Sequence, residues 1–171
     1  MMAETKTKLG RGTAEERPDV RLQVMSDPRW LCSIRGAVRG YFTSLGLHPD
    51  QVESVILAVD EACANSMRHA YKYKPDGVVE LTMRVVGNVA EVVVRDFGKP
   101  AKPKTCEGPT EFTRECLPRG GFGTRFIQAA FDEVEFSPGK RRGNRVRMRL
   151  QCTGKPHPCP EGPAESETGS Q

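Results

Sequence analysis

Apolar and polar positions follow two periods along this chain, and the changes of period divide it into elements. Val20, Leu22 and Val24 alternate with polar neighbours, the period of a half-buried strand. Asp27-Pro28 then supplies an N-cap and a proline for the first helical position. Leu31, Ile34, Val38, Phe42 and Leu45 recur at helical spacing, and Gly46 ends the run. A second helix starts near Pro49-Asp50. Its apolar stripe is Val52, Val55, Ile56, Val59, Cys63 and Ala70, and it ends around Tyr71–Pro75. Two strands follow, Val78–Val86 and Val89–Arg95, joined by the hairpin signal Gly87-Asn88. From Gly98 to Arg119 the period is lost among prolines and lysines. The stretch reads as a long mobile loop, of a length that compact domains usually reserve for function. A third helix follows the glycines at 120–123, with Phe122, Phe126, Ile127 and Ala130 on one side. Two last strands, Asp132–Phe136 and Asn144–Leu150, flank a turn at Pro138–Gly143.

The order is β-α-α-β-β-loop-α-β-β. Strands and helices do not alternate strictly, which predicts an α+β fold: a two-layer sandwich with a mainly antiparallel sheet covered on one face by helices. Charge and composition add the boundaries. Residues 1–19 are net neutral and almost without apolar content, while 151–171 are proline-rich with net charge −2. Residues 20–150 therefore hold +6 of a chain that totals +4. The expected organisation is a mobile tail at 1–19, one domain at 20–150 and a disordered tail at 151–171. No run of eighteen apolar residues predicts a membrane span. Six cysteines without an apolar leader suggest reduced thiols and a cytoplasmic location. An aromatic content of 6% disfavours a base-stacking nucleic-acid module.

Three groups of residues can carry chemistry. Glu61 and Asn65 lie one turn apart on the second helix, off its apolar stripe, with Ala58, Ala62 and Ala64 around them. An Asn carbonyl is a hard oxygen ligand suited to Mg²⁺, and a carboxylate one turn away can act as a base. Two solvated polar residues on an exposed face would look the same. His69 continues the spacing and reads as a helix-end or packing residue. The second group is Asp96-Phe97-Gly98 at a strand end, where a carboxylate can accept from an amino group beside a glycine. Ordinary turn punctuation explains it equally. The third is Gly120-Gly121-Phe122-Gly123-Thr124, where glycine frees the backbone N–H groups of a helix N-terminus to cradle phosphate. The spacing fits neither a Rossmann fingerprint nor a Walker A loop.

Taken in order, these parts resemble the Bergerat-fold ATPases, the superfamily of gyrase, histidine kinases and the MutL proteins. The likeness is closest to the small anti-sigma-factor serine/threonine kinases and spans residues 20–150. Their motif Glu-Ala-x-x-Asn-x-x-x-His-Ala-Tyr is matched by Glu61, Ala62, Asn65, His69, Ala70 and Tyr71. Their second box is matched by Asp96 and Gly98, and their glycine box by Gly121 and Gly123. The resemblance implies ATP and Mg²⁺ as cofactors. It implies that Asn65 ligates the metal, Glu61 acts as base, Asp96 reads the adenine amino group, and Gly98 lets the base lie against the backbone. Gly121, Gly123 and the neighbouring Thr124 would wrap the phosphates. Lys99-Pro100 and Gly143-Asn144 depart from the wider pattern, which favours a further glycine at the first place and Gly-Thr at the second.

The function implied is phosphorylation of a small anti-sigma-factor antagonist together with capture of a sigma factor, with a homodimer as the favoured assembly. The alternative is a nucleotide-gated binding module without transfer. Two features lie outside the resemblance. Residues 140–149 form a basic hairpin, either a solvated strand face or a docking patch for an acidic partner. Cys152, His157 and Cys159 fall short of a complete zinc set.

Overall fold

The computed structural model describes residues 17–100, 122–138 and 142–152. Residues 101–119 of the expected loop, most of both tails and part of the 138–143 turn lie outside the described residues. The elements are β1 (Val20–Met25), a 3-10 turn (Pro28–Trp30), α1 (Leu31–Ser44), α2 (Pro49–Asn65), a π-helical turn (Ser66–Ala70), β2 (Val78–Val86), β3 (Val89–Asp96), α3 (Phe122–Ala130), β4 (Glu133–Pro138) and β5 (Asn144–Gln151). All strand pairings are antiparallel, and the sheet order is β1-β2-β3-β5-β4.

The helices cover one face of this sheet, and the core lies between the two layers. Val79, Leu81 and Met83 of β2, Ala90, Val92 and Val94 of β3, and Met148 of β5 point inward. They meet Ile34, Val38 and Phe42 of α1, the Val52/Val55/Ile56/Val59 stripe of α2, and Ile127 of α3. Alternate residues on the strands face away from the helices. There the register aligns Arg84, Glu91, Arg149 and Glu133 across four strands.

Local chemistry explains the boundaries. Asp27 caps the 3-10 turn by accepting from the Arg29 N–H, and Gly46 leaves α1 at φ 74°. The cap of α2 is His48, whose imidazole accepts from the Asp50 N–H while the Gln51 side chain reaches back to the His48 N–H. Gly87 turns the β2–β3 hairpin at φ 59°. Asp19 already belongs to the fold: its carboxylate accepts from the Tyr41 hydroxyl at 2.6 Å and the Val85 N–H at 3.0 Å.

The structure corrects two details. Phe126, expected on one side of α3 together with Ile127, is 58% exposed while Ile127 is buried, and Phe131 just beyond the helix is buried as well. Ala58 and Ala62, expected to frame Glu61 and Asn65, are themselves buried in the core.

Candidate functional site

The end of α2 sets the site. After Asn65 the helix widens into one π turn over Ser66–Ala70, with Met67 and Ala70 buried. Lys72 and Tyr73 then reverse the chain at φ 53° and 59°. Tyr71 ties this end to the sheet. Its hydroxyl donates to the Val78 carbonyl at 2.6 Å and accepts from the Phe97 N–H at 2.8 Å. Gly98 lies against the same turn: a Cβ there would stand 2.6 Å from the Ala70 carbonyl oxygen and 2.7 Å from its Cβ. The helix end and the end of β3 therefore touch because residue 98 has no side chain.

Asp96 is 1% exposed, and its carboxylate is surrounded by donors. It accepts from the Gly98 N–H, the Asn144 N–H and the Asn144 side-chain amide, each at 3.1 Å, and from the Ser66 side chain. Burial pushes its pKa above the ordinary aspartate value, and these donors pull the other way. Asn144 also donates to the Lys99 carbonyl at 3.1 Å. Gly143, at φ 79°, lets β5 begin this close: a Cβ there would fall 1.9 Å from the Asp96 carbonyl oxygen.

Glu61 and Asn65 form a second cluster on the exposed side of α2. The Asn65 amide donates to Glu61 Oε1 at 2.9 Å, which turns the Asn65 Oδ1 outward. Arg68 donates to that oxygen and stands 3.6 Å from Glu61 Oε1. Arg68 also contacts His69, which is exposed at the helix end as its spacing suggested. The hard oxygens of Asn65 and Glu61 suit Mg²⁺. Among the described residues no group of three His, Cys, Asp or Glu side chains could hold a metal, so oxygens from a ligand would have to complete its shell.

The structure thus brings Asn65, Ser66, Asp96, Gly98 and Asn144 to adjoining element ends. Gly123 and an exposed Thr124 lie in the first turn of α3, which packs along α2. Gly121 lies outside the described residues. Sequence reasoning missed Arg68, Ser66 and the Tyr71 bridge. Arg68 was findable, since it lies three residues beyond Asn65 and so on the same helix face. Ser66 was not, because its partner Asp96 lies thirty residues on and only the fold brings the two together.

A buried strand-end carboxylate, a glycine pressed on a helix end and a helix-borne carboxylate–amide pair, all on one antiparallel sheet, define a nucleotide-binding domain of the ATPase type. Residues 24–150 match the model of the histidine kinase-like ATPase domain, and the chain belongs to that family. It is 32% identical over 117 residues to the anti-sigma F factor of Clostridium botulinum, covering 67% of this chain and 81% of that protein. It is 32% identical over 123 residues to the serine-protein kinase RsbW of Bacillus pumilus, covering 68% and 76%. A solved structure of the RsbU and RsbW domains of a Mycobacterium tuberculosis protein superposes with a TM-score of 0.55 at 12% identity. It covers 77% of this chain and 31% of that one, a likeness of fold.

Proposed function

We propose that this protein is an ATP-dependent serine/threonine kinase of the anti-sigma type. It phosphorylates a small anti-sigma-factor antagonist and sequesters a sigma factor. Its similarity to an anti-sigma F factor and to serine-protein kinases supports that class. The observation that carries the reading is the Asp96 carboxylate, buried beside Gly98 and Asn144 and one residue's width from Asn65 through Ser66. Such a carboxylate accepts from the adenine amino group, and the missing Cβ of Gly98 lets the helix end that carries Asn65 close against the strand end that carries Asp96.

Asn65 offers its amide oxygen to Mg²⁺, which would neutralise charge on the phosphates. Glu61 takes the proton of the attacking hydroxyl and is oriented by the Asn65 amide. Gly121, Gly123 and Thr124 present backbone N–H groups to phosphate at the start of α3. Arg68 must release Asn65 before that oxygen can face a metal.

The test incubates the full chain with labelled ATP, Mg²⁺ and a candidate antagonist. Label on an antagonist serine or threonine is expected. Glu61→Gln should lower transfer by about 10²- to 10⁴-fold with nucleotide affinity retained. ATP binding and partner capture without any transfer by the native chain would leave a nucleotide-gated binder instead. No shift of the melting curve by ATP at millimolar concentration would remove the nucleotide reading altogether.

A further inference from the structure

The helix-free face of the sheet has a charge pattern that the nucleotide site does not use. Its row nearest the β2–β3 hairpin is balanced. Glu91, 5% exposed, is held by Arg84 at 2.8 Å and Arg149 at 3.0 Å, and Arg149 also reaches Glu133 at 3.1 Å. Toward the opposite end of the strands the balance fails. The register sets Arg95 beside Arg145, and Val93 beside Arg147, one row away. Glu80, the neighbour of Arg95 on β2, is engaged by Gln23 at 2.8 Å. Arg145 has no carboxylate within ion-pairing distance among the described residues. Arg147 makes only long pairs, to Glu91 at 3.4 Å and Glu135 at 3.8 Å, and its buried Nε has no hydrogen-bond acceptor among the described residues.

These arginines line an open trough of about 620 Å³ that Arg21 and Arg142 also border. Burial and the neighbouring Arg147 pull the pKa of Arg145 below the ordinary arginine value, and the charges of Glu91 and Glu135 offset them only in part.

We propose that this trough is a docking site for an acidic polypeptide segment of a partner protein, with Arg95, Arg145 and Arg147 pairing to its carboxylates. Charge complementarity identifies the occupant. Guanidinium groups two residues apart along a strand stand about 7 Å apart, the repeat of alternate side chains on an added extended chain. A second copy of this face would bring like charges together. Nucleic acid fits less well, because Glu80, Glu91 and Glu135 stand among the arginines and the ring at their edge, Phe97, already carries the Arg95 guanidinium at 4.7 Å. The trough is independent of the nucleotide reading, although Gly143 and Asn144 connect the two along β5.

The test measures fluorescence anisotropy of a labelled peptide of alternating glutamate and serine, about twelve residues long, titrated with the full chain. Binding that weakens with salt is expected. Arg145→Glu should weaken it about tenfold or more and Arg145→Gln less, while Arg39→Gln on the helix layer should leave it unchanged. Melting curves and ATP affinity of each variant establish that the fold and nucleotide site survive. If Arg145→Glu does not fold, Arg145→Gln and Arg95→Gln carry the comparison. No binding at millimolar protein, equal binding of a glutamine/serine peptide, or indifference to residues 95 and 145 would overturn the inference. So would tighter binding of duplex DNA at the same arginines, or a dimer that Arg145→Glu dissociates.

Discussion

Asp96 shows how a recognition residue can also be a structural one. Its carboxylate accepts from Gly98, Asn144 and Ser66 before any nucleotide arrives. Asp96→Asn would place a new N–H₂ among donors. It should cost about 1–3 kcal/mol of stability, read from urea unfolding, and weaken ATP binding measured where the variant is still folded. Asn144→Ala leaves the backbone donors in place and should cost less than Asp96→Asn in the same experiment. The carboxylate itself was legible in the sequence, since an Asp before a glycine at a strand end stands out. Its surroundings were not: Asn144 comes 48 residues later, and only the sheet brings it there.

Element ends decide whether the site assembles. A Cβ at Gly98 meets a backbone carbonyl of the π turn, which cannot swing aside as a side chain would. Gly98→Ala should therefore cost about 1–3 kcal/mol and lower ATP affinity, both checked by melting with and without nucleotide. On the other face, Glu91 binds β2, β3 and β5 through its arginines. Burial raises its pKa, but Arg149, Arg84 and Arg147 outweigh burial and hold it below the ordinary 4.5. A depressed carboxyl stabilises above its unfolded value and loses that contribution as pH falls through the folded one. Glu91→Gln should cost about 2 kcal/mol at neutral pH, and its gap from the native chain should close as pH drops below 4.5. The hairpin that carries Glu91 was plain from its two-residue period and Gly87-Asn88. The π turn was hidden, because one extra residue in a helix leaves no local signature.

At the scale of the molecule, the two-layer arrangement followed from element order, while the strand order did not. Hairpin signals identify neighbours in sequence, but nothing local says that β5 inserts between β3 and β4. The core is shared by all three described helices, so one deletion should be felt throughout. Phe42 is fully buried between α1 and the other elements, and Phe42→Ala should cost about 3–5 kcal/mol. Loss of the same magnitude should appear by urea unfolding whether the probe reports helix or sheet. The position of β5 also governs how the protein is made. The last described strand is an interior strand of the sheet, so a nascent polypeptide halted before Asn144 has β3 paired on its β2 edge alone and β4 without any partner. Until β5 has left the ribosome, the nascent domain keeps open strand edges, a natural target for chaperones.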